Sequence, residues 1–291
     1  MRLLLFGASG FLGAHVQRAA RTAGIEVTTA GRRSVDPATD AVPRIAALFA
    51  DVAPDAVVNC VGVTGGDAAT MSAANIAVPA TLIEAMLRVR SPARLVHLGS
   101  AAEYGPGEPG VGVREDAPTR PVGLYGVTKL AGTRLVQVAY AAGMPAVALR
   151  VFNPVGIGAP TTSLPGRAAA EVARAAADGG VVRLGGLDVV RDFVAAADVA
   201  GAVLAAATRP TPDDSVLNIG SGRATSAREL VATLLKVAGA AVPVEPGGSG
   251  SPRSVDVPWQ RADIGAAHRA LGWHPTATLD DSLTALWESL R

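Results

Sequence analysis

The sequence predicts an α/β protein: a Rossmann-type, doubly wound parallel sheet with a smaller C-terminal α/β substrate-binding domain. In the first half, apolar runs of strand length alternate with helical patterns. Most of the strand runs are mainly apolar, which is typical of strands that are buried on both faces. A glycine-punctuated turn follows the first of them. Together these observations favour a parallel sheet covered by helices on both sides.

Five strands are predicted in the first half. They are Arg2–Phe6, Glu26–Thr29, Ala56–Cys60, Arg94–Gly99 and Pro145–Val151. Helical patterns separate them, at Phe11–Ala23, Ala41–Val52, Ala68–Arg90 and Tyr125–Ala142. Short segments such as Gly24 and Ser91-Pro92 mark turns between these elements.

The second half is less regular. Pro154–Pro165 and Ala241–Arg253 are predicted to be loops, because Gly, Pro, Ser and Thr are frequent there. Further strands are predicted at Val181–Leu184, Val189–Val194 and Val216–Ile219. Further helices are predicted at Asp198–Thr208, Ser226–Ala238, Gln260–Leu271 and Leu279–Leu290. Ser226 is a candidate N-cap, since Glu229 follows it by three residues.

Composition excludes several classes of function. Of the 291 residues, 49% are apolar and 18% are charged, which suits a buried sheet and a subunit interface. The net charge of +1 gives no electrostatic reason to expect nucleic acid or an acidic membrane as partner. The single cysteine, Cys60, cannot form an internal disulfide, and the four histidines lack metal-ligand spacing. The apolar run before Gly7 is too short for a signal segment or a membrane span. We therefore expect a soluble, cytoplasmic protein without a metal site.

Gly7-x-x-Gly10-x-x-Gly13 follows a predicted strand and opens a helix, which is the context of a dinucleotide site. Glycines let the backbone approach a pyrophosphate, and the helix N-terminus adds free N–H groups and a positive dipole. We expect cofactor contacts from this turn. The residues are Gly7, Ser9, Gly10, Phe11, Leu12 and Gly13. The alternative is a tight turn with no ligand.

The second strand is followed by Arg32 and Arg33, where an NAD site usually carries an acidic residue. Guanidinium groups suit a 2′-phosphate, so the sequence favours NADP(H), with NAD(H) as the alternative. The arginines could also be a solvated turn. Cys60, Val61 and Gly62 end another strand at the same edge and are predicted to border the cofactor. For Asn75, a site role and a purely structural anchor are equally compatible with the sequence.

Ser100, Tyr125 and Lys129 form a candidate catalytic set. Tyr125 and Lys129 lie four residues apart on a predicted helix and share a face. A nearby cation favours the phenolate, so Lys129 would lower the pKa of Tyr125, which is ordinarily near ~10. Lys129 could also hold a nicotinamide ribose, while Ser100 would hydrogen-bond a substrate oxygen. The alternative is an ordinary helix pair.

These motifs resemble the extended short-chain dehydrogenase/reductase family of sugar-nucleotide epimerases, dehydratases and reductases. The resemblance covers nearly the whole chain. It rests on Gly7–Gly13, Ser100 with Tyr104-Gly105, Tyr125-x-x-x-Lys129, Arg150–Gly156, Arg191–Val194 with Asp198-Val199, and Asn218–Gly222. It implies an NADP-binding Rossmann domain at 1–153, to which 187–220 return. Residues 154–186 and 221–291 would then form the substrate-binding domain. The Tyr125–Ala142 helix would pair across a homodimer, although a fully internal helix would look the same.

The resemblance also implies substrate contacts. Asn153, Arg191 and Arg253 would bind the diphosphate of a nucleotide sugar, each having a structural role as its alternative, and Ser100, Ala101 and Ala102 would face the sugar. Dehydratases of the family carry an acid and a base, usually Asp-Glu, where this chain has Ala101 and Ala102. Methyl groups cannot transfer protons, so dehydration is not expected, and Glu103 is not counted as a displaced base.

Reductase and epimerase remain. The arginine pair favours a reductase that consumes NADPH, and the chain looks most similar to GDP-6-deoxy-D-mannose reductases and dTDP-4-keto-6-deoxyhexose 4-ketoreductases. The sequence thus predicts NADPH-dependent reduction of a nucleoside-diphosphate 4-keto-6-deoxyhexose. The alternatives are an NAD-dependent nucleotide-sugar 4-epimerase, a reductase of another ketone, and a non-catalytic NADP-binding regulator.

Overall fold

The computed structural model describes residues 1–31, 35–210, 213–247 and 257–291. Its centre is a six-stranded sheet with the order β10-β5-β4-β3-β1-β2, in which all pairs are parallel. With strands numbered along the chain, these are β1 Arg2–Phe6, β2 Glu26–Ala30, β3 Ala56–Asn59, β4 Arg94–Ser100, β5 Ala146–Val151 and β10 Val216–Ile219. The predicted Rossmann-type parallel sheet is confirmed.

Helices cover both faces of the sheet. In the first half they are α1 Phe11–Thr22, α2 Val42–Val52, α3 Ala68–Ser72, α4 Val78–Arg88 and α5 Leu124–Ala141. Successive residues of β1 point to opposite faces and show the layering: Leu3 and Leu5 join one buried cluster, Leu4 and Phe6 another. The first cluster includes residues of α1 and of α7, Ala196–Thr208; the second includes residues of α2, α4 and α5. Burial on both faces explains why apolar residues follow one another in β1 from Leu3 to Phe6 and in β3 from Ala56 to Val58.

The second half builds a third apolar cluster of its own. It draws on α6 Leu164–Asp178, β7 Val182–Leu184, β9 Phe193–Ala195, α8 Ala227–Ala238 and α10 Leu279–Glu288. β12, Val244–Pro246, pairs with β7 in parallel. The short helix α9, Gly265–Leu271, instead packs into the cluster on the α1 and α7 side of the sheet. The division of the chain into two domains at the boundaries expected above stays a prediction.

Two further short pairings connect the halves. β6, Asn153–Val155, pairs in parallel with β9. β8, Val190–Arg191, pairs in the antiparallel sense with β11, Thr225–Ser226. The predicted strand Val189–Val194 is therefore wrong as a single element, because it breaks at Asp192. The carboxylate of that buried residue accepts hydrogen bonds from Ser221, Gly222 and Ala262, which turn the chain from one sheet into the next.

Helix α6 is absent from the elements predicted above. Ser163 caps it by accepting a hydrogen bond from the backbone N–H of Gly166, at 3.2 Å. Pro165 follows in the first turn, and Gly179 ends the helix in the left-handed conformation. The predicted helix at Gln260–Leu271 is also wrong over its first part. The helix begins only at Gly265, because the preceding residues are extended and pair with other segments.

The helical run Ala68–Arg88 has a mean hydropathy of 1.3 over its most apolar window and is long enough to cross a bilayer. Within the described ranges it alone passes that test. Its side chains Met71, Val78, Leu82 and Met86 are buried, which is the pattern of a core helix. A five-residue π-helical segment, Ala73–Ala77, separates α3 from α4 within this run.

Candidate active site

The turn after β1 has no room for a side chain at two of its glycines. Gly7 has a φ of +79°, and a Cβ there would lie 2.8 Å from the backbone of Cys60. A Cβ on Gly13 would lie 2.0 Å from the carbonyl oxygen of Gly7, so these two glycines let the turn and α1 close on each other. Gly10 begins α1 without any side-chain cap, which leaves the N–H groups of the first turn directed outward. This backbone fits a dinucleotide pyrophosphate.

The neighbouring side chains of the turn differ in their surroundings. Ser9 and Gly10 are exposed, whereas Leu12 packs against the core cluster. Phe11 lies edge-on to His15, with ring centroids 5.5 Å apart. These positions leave Ser9 and Gly10 accessible to a cofactor, and contacts from Phe11 and Leu12 stay a prediction. Arg32 and Arg33, on which the NADP prediction depends, lie outside the described residues.

The segment after β3 lies between the glycine turn and the predicted catalytic lysine. Asn59 accepts a hydrogen bond from the backbone of Val61, at 3.0 Å, which shapes the bend. A Cβ on Gly62 would lie 3.8 Å from Nζ of Lys129, so Gly62 borders that ammonium group. Desolvation raises the pKa of the Cys60 thiol to about 12, so this cysteine is no nucleophile at neutral pH.

Lys129 is 4% exposed, and its ammonium group donates to the carbonyl oxygen of Leu98 on β4. Burial lowers the pKa of Lys129 to about 8, although Glu103 and Cys60 act in the opposite direction. Lys129 is therefore a buried cation beside Gly62, and its roles toward Tyr125 and a ribose stay predictions.

Asn75 is an anchor rather than an isolated polar group. It is fully buried in the π-helical segment, where its Oδ1 accepts from the backbone of Val63 at 3.1 Å. Its Nδ2 donates to the carbonyl oxygen of Val63 and to Oγ1 of Thr128, both at 3.0 Å. Asn75 thereby joins the segment after β3 to the residue that precedes Lys129.

Ser100 ends β4 and begins a single 3₁₀ turn, Ala101–Glu103. Its Oγ accepts from the backbone of Ala102, at 3.2 Å. Helix α5 starts against this turn, since a Cβ on Gly126 would lie 2.4 Å from the carbonyl oxygen of Ala102. Tyr125, the residue before Gly126, is half-buried. The structure therefore brings the Ser100 turn and the first turn of the Tyr125 helix together.

Glu103 holds this turn in place from the interior of the protein. It is fully buried, and its Oε1 accepts from the backbone N–H of Ser100 and from the hydroxyl of Thr133, both at 2.8 Å. Its Oε2 forms an ion pair with Nε of Arg150 at 2.7 Å. The Arg150 guanidinium also lies over the ring of Tyr104, 4.4 Å from its centroid. With all these bonds made, Glu103 has a structural role, which agrees with its exclusion as a displaced base.

The supporting pair Glu103–Arg150 is missing from the sequence-based site. An arginine inside a buried strand is the one signal that could have revealed it, because such a charge requires a partner. Burial raises the pKa of Tyr104 to about 12, and its hydroxyl donates to Asn218 at 2.7 Å. Tyr104 is therefore a neutral packing residue.

Two of the three predicted diphosphate ligands come together on the other side of the site. The β6–β9 pairing aligns Asn153 with Phe193, two residues from Arg191. Asn153 donates through Nδ2 to the carbonyl oxygen of Asp192, at 3.0 Å. Arg191 is 5% exposed, and burial lowers its pKa to about 10. Arg253 lies outside the described residues, and binding by Asn153 and Arg191 stays a prediction.

Comparison with known proteins identifies the family of the chain. The model of the NAD dependent epimerase/dehydratase family matches residues 3–220. The chain belongs to this family. Family membership makes the protein an NAD(P)-dependent enzyme.

Several relatives extend over nearly the whole chain. The dTDP-6-deoxy-L-talose 4-dehydrogenase (NAD(P)(+)) of Kitasatospora kifunensis is 38% identical over 310 residues, covering 98% of this chain and 94% of its own. A UDP-glucose 4-epimerase of Azospirillum brasilense is 32% identical, covering 94% of this chain and 87% of its own. The structure of RMD from Pseudomonas aeruginosa complexed with NADPH superposes with a TM-score of 0.87 at 24% identity, covering 99% of this chain and 98% of that one. This last likeness shows the shared fold.

Glu103→Ala is expected to destabilise the protein by about 3–5 kcal/mol, because it leaves the buried Arg150 charge unpaired. Chemical denaturation of the purified protein measures this. The matched control is Asp116→Ala, which breaks an ion pair to Arg114 in which the aspartate side chain is 75% exposed. That control should unfold like the wild type. Equal effects of the two substitutions would contradict the supporting role of Glu103.

Lys129→Met is expected to abolish turnover and to raise the free energy of unfolding by about 1 kcal/mol. The folded pKa of Lys129 lies below its unfolded value, so the unfolded chain binds the extra proton between about pH 8 and 10. Wild-type stability should therefore gain a contribution as the pH rises through that window, and the variant should lack it. Denaturation at both ends of the window tests this, with the exposed Lys236→Met as control. A variant less stable than the wild type would contradict a buried, unfavourable charge.

Proposed function

We propose that the protein is an NADPH-dependent reductase of the C4 ketone in a nucleoside-diphosphate 4-keto-6-deoxyhexose. The observation that carries the proposal is the Ser100 turn: it begins at a hydroxyl, contains Ala101 and Ala102, and packs through Ala102 against the first turn of the Tyr125 helix. The set can move one proton to a carbonyl oxygen. The alanines offer no group for removing water from a sugar.

The cofactor site has two parts. The turn Gly7–Gly13 would hold the pyrophosphate with backbone N–H groups, and Gly62 would let the ribose approach Lys129. When bound, NADPH supplies a hydride to the carbonyl carbon. We propose NADP(H) over NAD(H) on the sequence alone, from the pair Arg32 and Arg33.

The three catalytic side chains have different tasks in this proposal. Tyr125 donates its phenolic proton to the oxygen that becomes the C4 hydroxyl, while Ser100 orients that oxygen by hydrogen bonding. Lys129 holds the ribose and stabilises the phenolate left on Tyr125, which is then reprotonated from solvent. One ketone, one hydride and one proton give one alcohol, so the step balances.

The relatives support the chemistry at C4. Oxidation by a 4-dehydrogenase is the reverse of ketone reduction at the same carbon, and that relative's name admits both NAD and NADP. We propose that Asn153, Arg191 and Arg253 bind the substrate diphosphate, since guanidinium groups suit phosphate oxygens. The protein would act in the cytoplasm.

A second candidate is a nucleotide-sugar 4-epimerase, which the 32% identity to a UDP-glucose 4-epimerase favours. An epimerase oxidises and re-reduces one sugar, so it has no net need for NADPH. Tightly bound NAD in the purified protein, with interconversion of two C4 epimers, would select this function.

We further propose a homodimer through α4 and α5, which pack side by side. Their outer faces carry exposed apolar side chains: Val138 is 69% exposed and Leu87 58%. Val127, eleven residues before Val138, is 48% exposed on the same side of α5. Arg134 is exposed between them, so the proposed interface combines apolar side chains with an arginine.

Tyr125→Phe is expected to lower kcat for a dTDP- or GDP-4-keto-6-deoxyhexose by about 100- to 10,000-fold, because the proton donor is lost. Binding of NADPH should remain as in the wild type. Loss of NADPH absorbance gives the rate, and fluorescence titration gives the cofactor affinity. The control is Tyr140→Phe, whose hydroxyl donates to the carbonyl oxygen of Asp213 away from the site. A Tyr125→Phe enzyme with wild-type turnover would exclude the mechanism.

Val138→Asp is expected to convert the dimer into monomers, because it buries a charge in the proposed interface. Light scattering after size exclusion measures the mass. Val111→Asp is the control, since Val111 is 50% exposed in a loop outside α4 and α5. A wild-type protein with the mass of one chain would rule out the dimer.

A further inference from the structure

The extended segment 257–264, here called the strap, crosses the region between the two sides of the site. On one edge it pairs with β8: Val190 donates to the carbonyl oxygen of Pro258 at 2.9 Å, and Gln260 donates to that of Val190 at 3.1 Å. On its other edge Gly107 donates to the carbonyl oxygen of Trp259, at 2.9 Å. The strap therefore lies like a short strand between β8 and the loop that follows the Ser100 turn.

Gln260 is the strap residue that reaches the Ser100 turn. Its side chain is buried, with 4% of the residue exposed. Its Nε2 donates to the carbonyl oxygens of Ala101 and Gly105, both at 2.9 Å. These two bonds use both amide protons, and they hold Ala101, the first residue of the turn, and Gly105, two residues after its end.

The same residue also touches the substrate side. The carbonyl oxygen of Val190 accepts from the backbone N–H of Gln260 at 3.1 Å and from Nη1 of Arg191 at 2.8 Å. One carbonyl group thus joins the Arg191 guanidinium to Gln260. Through its side chain, Gln260 continues this connection to the residue next to Ser100. Ala262 strengthens the attachment, since its N–H donates to the Asp192 carboxylate at 3.1 Å.

We propose that Gln260 is a positioning residue for ketone reduction, which holds the Ser100 turn at a fixed distance from the Arg191 guanidinium. The proposal rests on the function proposed above, in which Arg191 binds the diphosphate and Ser100 orients the carbonyl oxygen. A nucleotide sugar bound by Arg191 at its diphosphate and by Ser100 at its ketone is correctly oriented only when the distance between these two residues is constant. Gln260 makes hydrogen bonds to both sides and keeps it so.

The chemistry of the amide explains the choice of residue. Leucine has a similar volume but no donors, so Gln260→Leu would remove both hydrogen bonds to the turn. A displacement of about 1 Å at a catalytic group can cost 100-fold in rate. Glutamate has the same shape, yet its carboxylate would face two carbonyl oxygens. Only its protonated form can donate, and then to one oxygen.

The experiment compares kcat and KM of the full-length variants with a dTDP- or GDP-4-keto-6-deoxyhexose and NADPH. Gln260→Leu should lower kcat by about tenfold or more, while the KM for NADPH stays within twofold of the wild type. The ratio of Gln260→Glu activity to wild-type activity should rise as the pH falls from about 8 to about 6, as burial favours the protonated acid. The control Arg261→Met removes a strap bond to Gly110 instead, and should behave as wild type.

A double-mutant cycle tests the connection to Arg191. The losses in kcat/KM for Arg191→Ala and Gln260→Leu should overlap, so that the double variant loses less than the product of the two. Additive losses would overturn the proposed connection. A wild-type kcat in Gln260→Leu would overturn the positioning role. So would a loss of kcat accompanied by an equal fold-loss of NADPH affinity and by a lowered melting temperature, because that pattern indicates general destabilisation.

Hydrogen exchange separates this proposal from the proposed function. With NADPH alone, backbone amides of residues 101–105 should exchange faster in Gln260→Leu than in the wild type or Arg261→Met. If the wild type reduces none of these ketones, the proposed function fails, and the exchange result decides whether Gln260 holds the turn. Unchanged exchange would overturn the proposal whatever the substrate.

Discussion

The buried carboxylate of Glu103 is the interaction on which the candidate site depends. It accepts hydrogen bonds from the backbone of Ser100 and the hydroxyl of Thr133 on α5, and it pairs with Arg150 on β5. One side chain therefore unites the end of β4, the helix that carries Lys129 and the neighbouring strand. The charge of Arg150 is 2% exposed, so neither member of the pair can be left alone without a large cost. The geometry of the Ser100 turn follows from that constraint.

The site combines rigid support with an unfavourable working group. Asn75 makes three hydrogen bonds, and Glu103 makes two hydrogen bonds and an ion pair, which together fix the elements around α5. Lys129 is buried beside them, and its lowered pKa indicates that burial disfavours the charged ammonium group. A residue that lowers stability, surrounded by neighbours that raise it, is typical of a site selected for chemistry. On the far side, Asp192 plays the corresponding structural part next to Arg191, and Gln260 spans the interval between the two sides.

Much of the first half could be predicted from the sequence, because its signals are local. The strand Arg2–Phe6 is apolar at each of its last four residues, and Gly7 and Gly13 indicate a turn that no side chain could fit. What was missed depends on partners far along the chain. Glu103 finds Arg150 47 residues later, and the strap is extended because Val190 and Val113 pair with it. Helix α6 is not predicted from the sequence because its buried face consists mostly of small residues, which give a weak hydrophobic pattern. These residues are Ala168, Ala169, Val172 and Ala175. Arg32, Arg33 and Arg253 lie outside the described residues, so the NADP preference rests on sequence alone.

The most direct test of the account follows the hydride itself. The enzyme is incubated with a dTDP- or GDP-4-keto-6-deoxyhexose and, in separate samples, NADPH carrying deuterium in the (4R) or the (4S) position of nicotinamide C4. The product is examined by NMR and mass spectrometry. We predict one deuterium at sugar C4 with one of the two labels and none with the other, with one NADP⁺ formed for each alcohol. A product without deuterium from both labels, or C4 epimers interconverting with no NADPH consumed, would contradict the reductase, and the second result would select the epimerase.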